Sequence, residues 1–385
     1  MPSKLNRRQF GLAAAALSSA AAAPAADAIY TGALDGFEAK VSMPAFDPVA
    51  WSMERHARAP LALTYKPASK RATEAWQKKL RVKVQELIGG FPKDKSPLQP
   101  VTLEVRDFPN YRREKFVIQT QSGMAQLGYL LTPRNAKGPL ATMICVPGHG
   151  RGVDDIVGID DKGRDRADKA GYQHDFAIQV VEAGMAAVAV EPIAFGCRRD
   201  ARSAKRGLGN SACQPVAGAA LLLGETMIAW RVYDVMRTID WIETRKDLDA
   251  SRVGLMGISG GGTITTFAAA LEPRIKAAMI SGYLNTFKAS IVAMSHCIDN
   301  YVPGILNWCE NYDVASLIAP RPLYVESGTR DNIFPIAASK EAFANVKRVY
   351  TALGAPDAAE HEIFEGEHLF HGGVGIPFLA KHLKA

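Results

Sequence analysis

Three short stretches hold residue types that can do chemistry together. In the first, Gly257-Ile258-Ser259-Gly260-Gly261, a serine is flanked by glycines two before and two after. An apolar run at residues 253–256 precedes it and a helical run begins near Gly262, so Ser259 is expected at a sharp strand-to-helix turn. Such a turn holds the serine in strained dihedrals and leaves no room for neighbouring side chains, which is the work of the glycines. The hydroxyl then projects freely. The helix N-terminus beneath it offers unpaired N–H groups and a positive dipole end, both suited to a developing oxyanion. A phosphate loop would need a Lys-Ser/Thr pair after the glycines, where this chain has Gly262-Thr263. A dinucleotide fingerprint would open an early βαβ unit rather than fall mid-chain.

A serine hydroxyl is inert near neutral pH until a base takes its proton, and that base needs an orienting carboxylate. Partners of a nucleophile at this kind of turn follow it as acid and then histidine, on loops past later strands. Asp331 meets the requirement, on the loop after the strand at 323–326. Its competitors are Glu326, read as strand-terminal packing, and Asp313, read as a helix cap. The base is expected to be His368, just past the strand at 361–364. His361, which opens that strand, is expected to be exposed, and His371 to be a cap or surface residue. The third stretch, Val146-Pro147-Gly148-His149-Gly150-Arg151-Gly152, is a glycine-rich turn after an apolar strand. It can aim the His149 N–H, together with that of Gly260, at the reacting oxygen.

These stretches need a scaffold. Residues 101–105, 115–120 and 126–132 read as short antiparallel strands. From residue 141 the pattern becomes strand–helix alternation. Strands are expected at 141–146, 185–190, 253–256, 275–280, 323–326 and 361–364. Helices fall at 175–183, 263–271, 337–353 and 378–383. Another long helix carries the stripe Ile228, Val232, Val235, Ile239 and Ile242. Near-continuous apolar strands between helices predict a parallel sheet covered on both faces. Upstream, residues 73–88 read as a helix capped by Thr73, within an N-terminal extension spanning 29–100.

On these residues the chain resembles bacterial α/β-hydrolases of the dienelactone hydrolase and acetyl xylan esterase-like type, over roughly residues 100–385. The likeness rests on Gly148-His149-Gly150-Arg151-Gly152-Val153-Asp154-Asp155, the Ser259 turn, Ala319-Pro320-Arg321-Pro322, Asp331 with Pro335, and Gly366-Glu367-His368. It implies an α/β fold of the α/β-hydrolase kind, a mostly parallel, doubly wound sheet with antiparallel N-terminal strands, its catalytic domain at 101–385. It also implies hydrolysis of carboxylic esters, in some members deacetylation of plant polysaccharide. Two departures stand out: Pro147 occupies a position where many relatives have histidine, and the nucleophile is serine rather than the cysteine of true dienelactone hydrolases. The expected activity is that of a serine esterase on short-chain acyl esters, with a small-molecule or carbohydrate ester as substrate. The alternative is a serine peptidase of the prolyl-oligopeptidase type, but the 29–100 extension is too short for the propeller such enzymes carry. No cofactor and no metal are expected, because no CxxC or spaced Cys/His set occurs. His361-Glu362-Ile363-Phe364-Glu365 approaches a zinc-protease motif, yet has Glu where the second His belongs.

The N-terminus carries a separate message. Arg7-Arg8 precedes an alanine-rich apolar segment and then the small-residue cluster around Ala23-Pro24-Ala25-Ala26. Charged start, apolar middle and small end make an export signal over residues 1–28, of twin-arginine type, so a periplasmic or secreted protein is expected. The segment before Asp27 holds Lys4, Arg7 and Arg8 and no acid, so without it the formal charge falls from +7 to +4. That mild balance, with no basic run interleaved with aromatics, gives no support for nucleic-acid binding. The mature chain has no apolar run long enough to span a membrane. Five cysteines are too few and too odd in number for a disulfide scaffold. Cys197 with Cys213, and Cys297 with Cys309, bracket short loops and are candidate pairs, free thiols being the equal alternative. Cys145 is expected as a small buried hydrophobe.

Overall fold

Nine apolar or alternating runs form nine strands in the computed structural model, which describes residues 32–93 and 95–384. The expected export signal lies outside these residues. The strands are β1 (Val101–Asp107), β2 (Tyr111–Gln121), β3 (Met124–Pro133), β4 (Leu140–Val146), β5 (Ala186–Val190), β6 (Leu248–Ile258), β7 (Ile275–Ser281), β8 (Leu323–Gly328) and β9 (Ala359–Phe364). They make one sheet in the order β1-β2-β3-β5-β4-β6-β7-β8-β9. Pairing is antiparallel from β1 to β5 and parallel from β5 to β9. β6 begins five residues earlier than its apolar run, because Leu248 and Asp249 pair with Leu140 and Ala141 before a register shift.

The described residues also form ten α-helices: α1 (Pro48–Ala57), α2 (Lys70–Leu87), α3 (Phe176–Glu182), α4 (Ala201–Ala204), α5 (Cys213–Leu222), α6 (Met227–Glu243), α7 (Gly260–Leu271), α8 (Asn311–Ser316), α9 (Ile336–Ala352) and α10 (Gly375–Lys384). Alternate strand residues face opposite layers. Ile144, Val188, Leu255, Ile280 and Val325 share a core with the α6 stripe and α7, whereas Met143, Ala187, Met256 and Met279 pack with α3 and α10. All five residues of the α6 stripe are buried, as its period requires.

Residues 32–51 form a unit of their own, with short 3₁₀ turns at Glu38–Lys40 and Met43–Phe46. From Ser52 onward the chain is a single unit, so residues 52–100 group with the sheet. Helix α2 starts three residues earlier than expected. Its N-cap is Ser69, which accepts from the Ala72 N–H, while Thr73 lies inside the first turn and donates to the Ser69 carbonyl. A polar side chain at the first turn mimics a cap in sequence, and only the backbone dihedrals separate the two. Among the described residues no single helix is long and apolar enough to cross a membrane.

Candidate active site

The strand order reverses about β4: the chain runs from β4 outward to β5, then crosses back to β6 on the other side. In open α/β sheets the crevice past the carboxyl ends of the strands at such a switch point is the natural binding place. Two of the three chemical stretches fall there, after β4 and after β6.

Ser259 sits between β6 and α7 at φ 56° and ψ −119°, in the left-handed half of dihedral space that non-glycine residues avoid. A Cβ on Gly257 would lie 2.5 Å from the Gly261 carbonyl oxygen, and one on Gly261 would fall on the Val146 carbonyl. Glycine at both positions is therefore what lets β6, the turn and β4 approach so closely. Gly260 opens α7, so its N–H is one of the unpaired donors of a helix start.

His368 follows β9, and its Nδ1 lies 2.7 Å from Oδ2 of Asp331, which follows β8. The other carboxylate oxygen of Asp331 accepts the N–H groups of Ile333 and Phe334 at 2.8 and 2.9 Å. The imidazole is packed between Tyr172 and Phe334. Gly282 leaves the room: a Cβ there would come within 3.0 Å of His368 Cε1. Nε2 of His368 is buried and meets no hydrogen-bond partner. Ser259, Gly260, His149 and His368 all line one cavity of about 390 Å³, with Tyr172, Met294, Ser295, His296, Cys297, Asn300 and Ile333 completing its wall.

The turn after β4 is held from behind. Gly148 N–H donates to Gln173 Oε1 at 2.8 Å, and the Tyr172 hydroxyl donates to the His149 carbonyl at 2.6 Å. Glu191, fully buried after β5, accepts the Val153 N–H at 3.1 Å and presses against Gly152 and Gly196, where a Cβ would strike its carboxyl. Burial pushes the Glu191 carboxyl up to about 8, outweighing the lowering effect of the backbone donors.

Other sequence candidates resolve differently. Glu326 is buried packing, as expected: it accepts from the Ser281 hydroxyl and from the His371 and Gly372 N–H groups. Asp313 is not the cap of α8. Glu310 is, and Asp313 completes the capping box from the third helical position. His361 is not exposed: its Nε2 is 3.0 Å from the Ser327 hydroxyl, its ring packs on Phe343, and burial pulls it down to about 4. His371 is a surface residue, 2.8 Å from Glu362. Residues 359–364 are a strand, so the His361-Glu362 stretch lacks the helix that zinc-protease ligands require. On the loop after β5, Arg198 turns inward to Asp234 and Arg199 binds the carbonyls of Gly196, Gly207 and Asn210; neither lines the cavity. Of the aromatics near this end of the sheet, Tyr283 is core, Tyr301 lines a different hollow, and Trp308 packs under Lys83.

The cysteines pair with neither of their sequence neighbours; all five are free thiols. Cys145 is buried in β4, as expected. Cys213, at the start of α5, instead meets Cys297 from the segment after β7, beside His149 and Asp299. These four present side-chain atoms within 4.8 Å of one another. Hydrogen bonding from Cys297 lowers the Cys213 thiol pKa, outweighing burial. The segment at residues 282–310 carries no motif or simple period, so its cavity residues His296, Cys297 and Asn300 left no signal in the sequence. Tyr172, Gln173 and Glu191 were equally silent as supports of the His149 turn.

A mostly parallel sheet with antiparallel strands at one edge, a strained serine turn after β6, and carboxylate and imidazole on the loops after β8 and β9 define an α/β-hydrolase. The chain belongs to the Abhydrolase family, which it matches over residues 49–366. It is 24% identical over 285 residues to the "Putative hydrolase YtaP" of Bacillus subtilis, covering 72% of this chain and 89% of that one. Its fold is that of "a putative acetyl xylan esterase" from Bacteroides fragilis (TM-score 0.71, 20% identity, 83% of this chain and 82% of that one). A glucuronoyl esterase from Solibacter usitatus shares the fold at a TM-score of 0.63 and 17% identity, covering 85% and 97%.

Proposed function

We propose that the protein is a serine carboxylic-ester hydrolase that cleaves short-chain acyl esters, acetyl foremost, including those carried by carbohydrates. Ser259, its proton taken by His368 Nε2, attacks the ester carbonyl to form a tetrahedral intermediate. Its oxyanion rests on the N–H groups of Gly260 and His149. Asp331 holds His368 in the tautomer with the proton on Nδ1 and stabilises the imidazolium that forms. His368 then returns the proton to the departing alcohol, leaving an acyl group on Ser259. Water activated by the same imidazole releases the acid. A cavity of about 390 Å³, at the small end for ligand pockets, suits a short acyl group rather than a long chain. The proteins that share the fold include ones named "putative acetyl xylan esterase" and "Glucuronoyl Esterase". With the twin-arginine-type signal, this reading makes the protein an exported enzyme working on esters outside the cytoplasm.

The observation that carries the reading is the His368–Asp331 hydrogen bond of 2.7 Å, with the far imidazole nitrogen unpartnered on the cavity wall that Ser259 shares. The test is turnover of p-nitrophenyl esters of increasing chain length, of acetylated xylo-oligosaccharides, and of peptide p-nitroanilides. Acetate esters are expected to be preferred, and Ser259→Ala to lose at least ~10⁴-fold in kcat. Wild-type rates in Ser259→Ala would overturn the mechanism. Cleavage of anilides with no activity on esters would favour the peptidase reading.

A further inference from the structure

Beside the cavity, four side chains from three separate segments point their donor atoms at one spot. His149 comes from the turn after β4, Cys213 from the first turn of α5, and Cys297 and Asp299 from the segment after β7. His149 Nε2 lies 3.1 Å from Cys297 Sγ, 3.6 Å from Cys213 Sγ and 3.5 Å from Asp299 Oδ2. Cys213 Sγ is 3.9 Å from Asp299 Oδ2. Ligands held at 2.0–2.3 Å around a tetrahedral ion are separated from one another by about 3.3–3.8 Å, and these four spacings, from 3.1 to 3.9 Å, straddle that range, so shifts of a few tenths of an ångström would bring the atoms around one ion. Cys213 and Asp299 are buried, while His149 and Cys297 form the side that meets the cavity.

We propose that His149, Cys213, Cys297 and Asp299 bind a zinc ion that anchors the turn after β4. Two sulfur donors, one imidazole and one carboxylate make a set for a borderline-soft ion and exclude magnesium and calcium, which take oxygen ligands. The charges are consistent with the assignment: on binding, the two thiols would lose their protons, and the two thiolates with the Asp299 carboxylate would be balanced by the divalent ion and the buried Arg231. Arg231, from α6, donates to Asp299 Oδ2 at 2.5 Å and to Cys213 Sγ at 3.5 Å, and its remaining donors hold the Ile193 carbonyl. That is the outer shell of hydrogen bonds by which metal-binding carboxylates and thiolates are oriented. Four protein ligands close the coordination sphere, so the ion is structural. Its consequence for the enzyme lies in His149: the ring it would fix belongs to the residue whose N–H faces the oxyanion. This positioning role rests on the esterase reading; binding of the ion does not.

The test uses the full-length protein, purified without chelator and dialysed against zinc. About one zinc per chain is expected by elemental analysis, in wild type and in Ser259→Ala alike, with five thiols titrated after unfolding in chelator. Cobalt exchanged into the site is expected to give thiolate-to-metal charge-transfer absorption and the intense visible bands of a tetrahedral ion. Both are expected to be lost in Cys213→Ser and reduced in Asp299→Asn. Where a variant fails to fold, the wild-type zinc content and cobalt spectrum decide alone. Substoichiometric zinc, an octahedral cobalt spectrum, or a Cys213–Cys297 disulfide in the peptide mass map would overturn the proposal. Zinc binding retained in a Ser259→Ala protein, beside an active-site failure on every ester, would sink the esterase reading only if wild type were equally inactive.

Discussion

Asp331 divides its two oxygens between the Ile333 and Phe334 N–H groups on one side and His368 Nδ1 on the other, and that division dictates what an amide would do in its place. In Asp331→Asn the two backbone donors claim the amide oxygen. The amide nitrogen is left facing Nδ1, which must then accept, so the imidazole proton moves to Nε2. A histidine protonated at Nε2 cannot take the Ser259 proton. The expected result is a fall in kcat of ~10²–10⁴-fold with KM for p-nitrophenyl acetate nearly unchanged. An equal loss in both parameters would point instead to a collapsed site.

At the scale of elements, the turn between β6 and α7 depends on how near the helix start lies to β4. Gly261→Ala places a methyl group on the Val146 carbonyl, so α7 must move or the turn must open. We expect at least ~10²-fold loss of turnover together with a lower melting temperature. Gly218, inside α5, makes the opposite case, since a Cβ there meets nothing within 4 Å. Gly218→Ala is expected to stabilise by about 0.5–1 kcal/mol through lower backbone entropy of the unfolded chain, read as a raised midpoint in urea.

For the molecule as a whole, the buried Glu191 makes stability depend on pH. Its carboxyl titrates near 8 in the fold but in the ordinary range near 4.5 when unfolded, burial being the main cause. Between those values the folded state holds the extra proton, so stability falls as pH rises through the window. Asp313, pushed up to about 6 by burial, acts in the same sense below pH 6, and His361, pulled down to about 4, acts in the opposite sense below pH 6.5. The interval from 6.5 to 8 therefore isolates Glu191 from those two. The difference in melting temperature between Glu191→Gln and wild type is expected to shift in favour of the variant across that interval. A pH-independent difference would show that Glu191 does not titrate there.

All nine strands were legible from their alternate or continuous apolar runs, and the longest helices from patterns such as the 3.6-residue stripe of α6, whereas α1, α4, α5 and α8 were not anticipated. The Ser259 turn was legible for a local reason, as its glycines are required by the backbone immediately around them. Asp331 and His368 could be placed on loops past strands, since parallel crossovers bring every such loop to one edge. What the amino-acid order could not disclose is which distant side chains meet. Cys213 joins Cys297 rather than Cys197, His361 turns in to Ser327, and Glu191 braces a turn some forty residues upstream. Those contacts depend on how irregular segments pack against a finished sheet, and packing of that kind leaves no periodic trace in the chain.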